Sequence, residues 1–97
     1  MSVKIIIVRH VPEDREKAQA LKPLLLEMRT LANAQPGYVS GETLVNYDDP
    51  SEYLVISTWQ TLKDWNHWLK DERRRDVQAK VDALLGTETL YSVYYNG

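Results

Sequence analysis

Hydrophobic positions along the chain follow two periods. Residues 3–8 form a short run rich in β-branched side chains, ended by Arg9-His10-Val11-Pro12, which is the profile of a strand buried on both faces. From Glu13 the spacing changes. Ala18, Leu21, Leu25, Met28 and Ala32 recur at three and four residues, the stripe of an amphipathic helix that ends near Asn33. Pro23 lies inside that stripe; it removes one backbone hydrogen bond and crowds the carbonyl of Gln19, so a kink or restart is predicted there. Gln35-Pro36-Gly37 reads as a turn, and residues 38–46 as a second strand with Gly41 as a bulge or point of close approach. Residues 47–51, Tyr-Asp-Asp-Pro-Ser, make a hairpin loop to a third, antiparallel strand over residues 53–59. Thr61 and Asp64 have capping-box spacing and open a helix that carries Leu62, Trp65 and Trp68. Val77, Val81, Leu84 and Leu85 continue its stripe to Gly86, and residues 89–95 supply the last strand.

The order β-α-β-β-α-β across one domain, residues 1–97, predicts an α+β, ferredoxin-like fold: a four-stranded antiparallel sheet with both helices on one face. The other face is then bare, yet the strands carry apolar groups on both alternating faces. Ile5 and Ile7 oppose Ile6 and Val8, while Val55 and Trp59 oppose Leu54 and Ile56. An uncovered sheet of that character is a large apolar patch, and a second copy packed sheet to sheet removes it. A homodimer is therefore expected.

Composition narrows the function classes. A net charge of -2 gives no electrostatic footprint for phosphate backbones or anionic lipid, so neither nucleic acid nor a membrane is an expected partner. The apolar run at the start is too short for a signal-peptide core or a membrane span. With no cysteine there is no disulfide, thiolate nucleophile or zinc-thiolate site, which suits a reducing cytoplasm. The chain also lacks a glycine-rich phosphate loop, metal-ligand spacing and a nucleophile elbow, so no metal site is expected from its motifs.

Pro36-Gly37-Tyr38, the strand Tyr53-Leu54-Val55-Ile56-Ser57-Thr58-Trp59 and the segment Asp64-Trp65-Asn66-His67-Trp68-Leu69 stand in an order and spacing that resemble the antibiotic biosynthesis monooxygenase (ABM) superfamily over nearly the whole chain. The resemblance implies a ferredoxin-like protomer that dimerises into an α/β barrel. It also implies a monooxygenase acting on a small aromatic or quinol substrate without metal or flavin, the substrate's own deprotonated ring delivering an electron to O₂. Two alternatives accompany it: a haem-degrading monooxygenase, and a non-catalytic dimer that binds a hydrophobic ligand or a partner protein. The haem-degrading branch uses an Asn near the end of the first strand, a Trp in the helix after the third strand and a His further along as iron ligand. Trp68 matches the Trp, but the other two positions fall on Arg9 and Gln78, and a carboxamide is a poor haem ligand beside imidazole.

Within that frame, Arg9 is a candidate to stabilise a phenolate or developing oxyanion, with a strand-end ion pair as the competing reading. His10 is a candidate proton acceptor, against an exposed loop position. His67 reads as a surface residue. Trp59, Trp65 and Trp68 are candidates to bind a flat ligand by stacking, or else they form core; Tyr38, with Tyr91, Tyr94 and Tyr95, is a candidate to orient a substrate through its phenol, against an ordinary strand role. Asn66 is a further binding candidate whose direction the helical spacing leaves open. Arg73-Arg74-Arg75, flanked by Asp71, Glu72 and Asp76, reads as a solvated helix face.

Overall fold

Seven elements follow one another in the computed structural model, which describes all 97 residues: β1 (Val3–His10), α1 (Arg15–Asn33), β2 (Tyr38–Val45), β3 (Glu52–Trp59), α2 (Leu62–Leu69), α3 (Glu72–Leu85) and β4 (Leu90–Tyr94). The four strands form one antiparallel sheet in the order β2-β3-β1-β4, the arrangement expected of a ferredoxin-like α+β fold. No helix is long and apolar enough to cross a membrane.

Burial in β1 follows strict alternation. Val3, Ile5, Ile7 and Arg9 are buried on the helix side, whereas Lys4 and His10 are exposed and Ile6 and Val8 half-buried on the other. Register carries that parity across the sheet, because residues directly opposite in antiparallel strands point the same way. Leu44 pairs with Leu54, Leu54 with Val8, and Val8 with Leu90, so one apolar row crosses the face that no helix covers. Leu90 and Tyr94 on that face are 56% and 57% exposed.

Local detail departs from the pattern reading in several places. α1 is one helix across Pro23, without a restart, held to the core on either side of it by buried Leu21, Met28 and Ala32. The helix expected from Leu62 onward is two helices. Lys70 closes α2, and the Asp71 carboxylate accepts the backbone N–H of Arg73 to cap α3, which re-aims the chain between Trp68 and Arg74. The irregularity in β2 falls between Tyr38 and Ser40, not at Gly41. Gly41 is instead a point of close approach, where a Cβ would meet the Tyr38 hydroxyl. Gly37, at φ +84°, turns the chain into β2, and a Cβ there would collide with the Asp64 carboxylate. Thr61 accepts the backbone N–H of Asp64 at 3.1 Å, but the Asp64 carboxylate takes the Thr61 hydroxyl rather than its N–H, so only half of a capping box forms.

Candidate functional site: a cavity with aromatic walls and buried arginines

Between α1 and the helix side of the sheet lies a cavity of about 280 Å³, at the small end of the ~300–1,000 Å³ usual for ligand pockets. Every element except β4 contributes to its wall. Its mouth is marked by the exposed residues Leu26 and Arg29 of α1 and Thr43 of β2, with Arg29 Nη2 donating to Thr43 Oγ1 at 3.4 Å. Its buried lining includes Ile7 and Arg9 from β1, Trp65 and Trp68 from α2, and Arg74 and Gln78 from α3.

The aromatic residues are layered. Trp59, fully buried, is the inner layer and does not reach the cavity. Its indole N–H donates to Ser57 Oγ at 2.8 Å, its ring stacks on Trp68 at 6.5 Å between centroids, and Tyr38 meets it edge-on at 5.3 Å. Trp65, Trp68 and Tyr38 form the outer layer and line the cavity. The α2 positions 65 and 68 are three apart on one helical face, so both indoles turn inward while Asn66 and His67 turn out. Asn66 lies with Lys63, Asp64, His67 and Lys70 in a shallow polar depression on the surface, away from the cavity.

Arg9 and His10 part company for a simple reason. Neighbouring strand residues face opposite sides, so β1 sends Arg9 into the cavity wall and His10 to the exposed, opposite face. Arg9 is 6% exposed, and its Nε–H has no hydrogen-bond partner. Burial lowers its pKa and the nearby Arg74 lowers it further, against the opposing influence of Tyr91 and Asp82. An arginine in a protein nevertheless keeps its proton.

Arg74 overturns the reading of the basic run as solvated throughout. It is 5% exposed, while Arg73 and Arg75 on either side are exposed. Its Nη1 donates to the carbonyl of Leu69 at 3.2 Å and its Nη2 to the Tyr91 hydroxyl, and its guanidinium lies 5.2 Å from the Tyr91 ring centre and 5.8 Å from that of Trp65. The signal was present: position 74 precedes Val77, Gln78 and Val81 by three, four and seven, in phase with the buried stripe of α3. Tyr91 is held neutral, its pKa raised by burial despite the two cations beside it. Gln78 turns its amide N–H groups to Asp82 and Thr89, at 2.8 and 2.9 Å, and leaves Oε1 buried without a partner. The position that aligns with a haem ligand is thus tied toward the α3–β4 junction. No His, Cys, Asp or Glu lines the cavity, and no cluster of such residues could hold a metal ion.

The sequence profile described as "antibiotic biosynthesis monooxygenase" matches residues 4–80, most of the chain. The chain belongs to this family. Solved structures with the same fold include SnoaB, a cofactor-independent oxygenase from Streptomyces nogalater, at a TM-score of 0.83 and 14% identity over 99% of this chain and 93% of that one. Rv0793 from Mycobacterium tuberculosis superposes with a TM-score of 0.84 at 18% identity, covering 100% of this ABM chain and 96% of the other. A conserved protein from Methanosarcina mazei Go1 reaches 0.89 at 12% identity, covering 100% and 94%. At such identities the likeness concerns the fold. No curated protein matches the chain in sequence.

Proposed function

We propose that this ABM protein is a homodimeric monooxygenase that oxidises a small, electron-rich aromatic or quinol without metal or flavin. The observation that carries the reading is the apolar cavity itself, walled by Trp65, Trp68 and Tyr38 and bordered by the buried cation of Arg9. Membership of the family and the oxygenase activity named for SnoaB support it.

In such a reaction an activated ring CH₂ becomes C=O: one atom of O₂ enters the ring and the other leaves as water with the two hydrogens. The substrate supplies all four electrons, so no outside reductant enters the balance. The protein's part is to hold the ring, favour its anion and keep bulk water away. Trp65 and Trp68 offer flat surfaces for the ring, and Arg9 with Arg74 lowers the energy of the deprotonated form. With no titratable base in the wall, water at the Arg29–Thr43 mouth accepts the proton. Dimerisation follows from the row Leu44–Leu54–Val8–Leu90, which a second sheet would cover.

The test is oxygen uptake with a panel of anthrones, naphthols and hydroquinones, followed across the pH range in which each ionises. Uptake should rise with ionisation and fall in Trp68→Ala, once that variant is shown to fold, because truncating a buried Trp can itself cost ~3–5 kcal/mol. The missing base favours one second reading, a dimer that binds the same ligands without oxidising them; binding without any oxygen consumption would select it.

A further inference from the structure

We infer that the ligand of this cavity carries a fixed negative charge, a carboxylate on a flat aromatic body, and that Arg9 is the residue that receives it. The inference deepens the reading above by naming the substrate class, and it stands on charge rather than on oxygen chemistry.

Three arginines, Arg9, Arg29 and Arg74, line a cavity whose wall contains no aspartate or glutamate, although the chain as a whole carries a net charge of -2. The cavity wall is therefore positive in a chain that is negative overall. The three differ in how they are satisfied. Arg29 is exposed at the mouth, where water solvates it. Arg74 is buried but occupied, by the Leu69 carbonyl, the Tyr91 hydroxyl and two aromatic faces. Arg9 is buried and unoccupied: its Nε–H is unpartnered, and the ion pair in this chain joins Arg73 to Asp71, elsewhere. A buried charge without counter-ion or hydrogen bonds is strongly unfavourable, and structures retain one where a ligand completes it.

Chemistry selects the group. A guanidinium fork matches the two oxygens of a carboxylate in one plane, and a planar acid fits the slot that the indoles border. The apolar wall around it suits an arene body. Arg74, held by Tyr91, adds a second positive charge close enough to act on Arg9.

Isothermal titration under anaerobic conditions at pH 7 isolates binding from oxidation. The probes are 1-hydroxy-2-naphthoic acid, its methyl ester and 1-naphthol, which share one ring system and differ in charge; inorganic phosphate serves as an anion without the arene. The free acid should bind about 10- to 100-fold more tightly than the ester, the range of a hydrogen bond to a charged group. In Arg9→Met that preference should fall to roughly twofold or less, and Arg9→Lys, which keeps the charge without the fork, should restore part of it. Arg75→Met, an exposed arginine outside the cavity, should leave it in place. Equal binding of acid and ester overturns the inference, as does an acid preference that survives in Arg9→Met or vanishes in Arg75→Met. Tighter binding of phosphate than of the naphthoate, or no binding of the naphthoate at all, overturns it too. Failure of oxygen uptake leaves the titration untouched, so the two proposals fall separately.

Discussion

The two buried arginines predict opposite effects of the same substitution on stability. Arg9→Met keeps a long unbranched side chain and removes the charge. It relieves the desolvation that is the largest influence on this group and the repulsion from Arg74, and at pH 7, where Tyr91 is neutral, gives up the weaker attraction of Asp82. Replacing buried ionic groups by apolar side chains of similar volume can stabilise by 1–4 kcal/mol, and since Arg9 borders a cavity open at one end, about 1–2 kcal/mol is the appropriate share. For a domain of this size that corresponds to a rise of roughly 5–15 °C in Tm. Arg74→Met gains similar relief but breaks the bonds to Leu69 and Tyr91, worth ~1.5–3 kcal/mol each as charged hydrogen bonds, together with the contacts to two aromatic faces. It should lose about 2–5 kcal/mol net. Urea and thermal unfolding of the three proteins at one protomer concentration and pH 7 read both numbers, the fixed concentration being needed because the apparent stability of the proposed dimer would depend on it. An Arg9→Met protein less stable than the parent would show that the chain already satisfies Arg9, and the reasoning would fail at its root.

Tyr91 should ionise above the ordinary tyrosine range, so alkaline absorbance titration of the six tyrosines should show a late component that Tyr91→Phe removes. Because its folded pKa is raised, its share of stability is complete below the unfolded value of about 10 and is lost as pH rises through the folded one. Unfolding measured from pH 9 to 11.5 should therefore show a steeper loss for the parent than for Tyr91→Phe. Gly37→Ala should destabilise by at least ~1–2 kcal/mol from the left-handed backbone alone, with the Asp64 contact adding to it; a melt unchanged from the parent would contradict that geometry. Size exclusion with light scattering should report about twice the 11.3 kDa chain mass, and Leu54→Glu, at the centre of the bare face, should give a folded monomer. A dimer that tolerates that charge must be built on some other surface.

Strand parity was readable from the sequence because it depends only on counting by twos: Ile5 and Ile7 separate from Ile6 and Val8 in the structure as they do in the pattern. Counting further would have separated Arg9 from His10, but Pro12 drew the reading of a loop two residues too early. Arg74 was hidden by composition, since three arginines among acids look solvated unless each is tested against the phase of Val77 and Val81. The break between α2 and α3 was also within reach, in the capping residue Asp71 followed by Glu72, but the continuing apolar stripe masked it. The depth order of the tryptophans was not. Trp59 and Trp68 are the same residue type and both deeply buried, and which one stands behind the other is decided by how α2 packs on β3, which no local pattern encodes.

The central strands put the cavity and the bare apolar face on opposite sides of a single backbone thickness. Arg9 and Tyr53 sit opposite one another on the cavity side, and Val8 and Leu54, each one residue earlier or later, sit back to back with them on the bare face. In the proposed dimer, binding specificity and self-association are therefore written into alternate letters of the same two words, and substitutions at one set leave the other face in place. An insertion or deletion of one residue within β1 or β3 has no such freedom, because it would exchange the two faces over the rest of the strand, sending arginine to the bare face and the apolar row into the cavity.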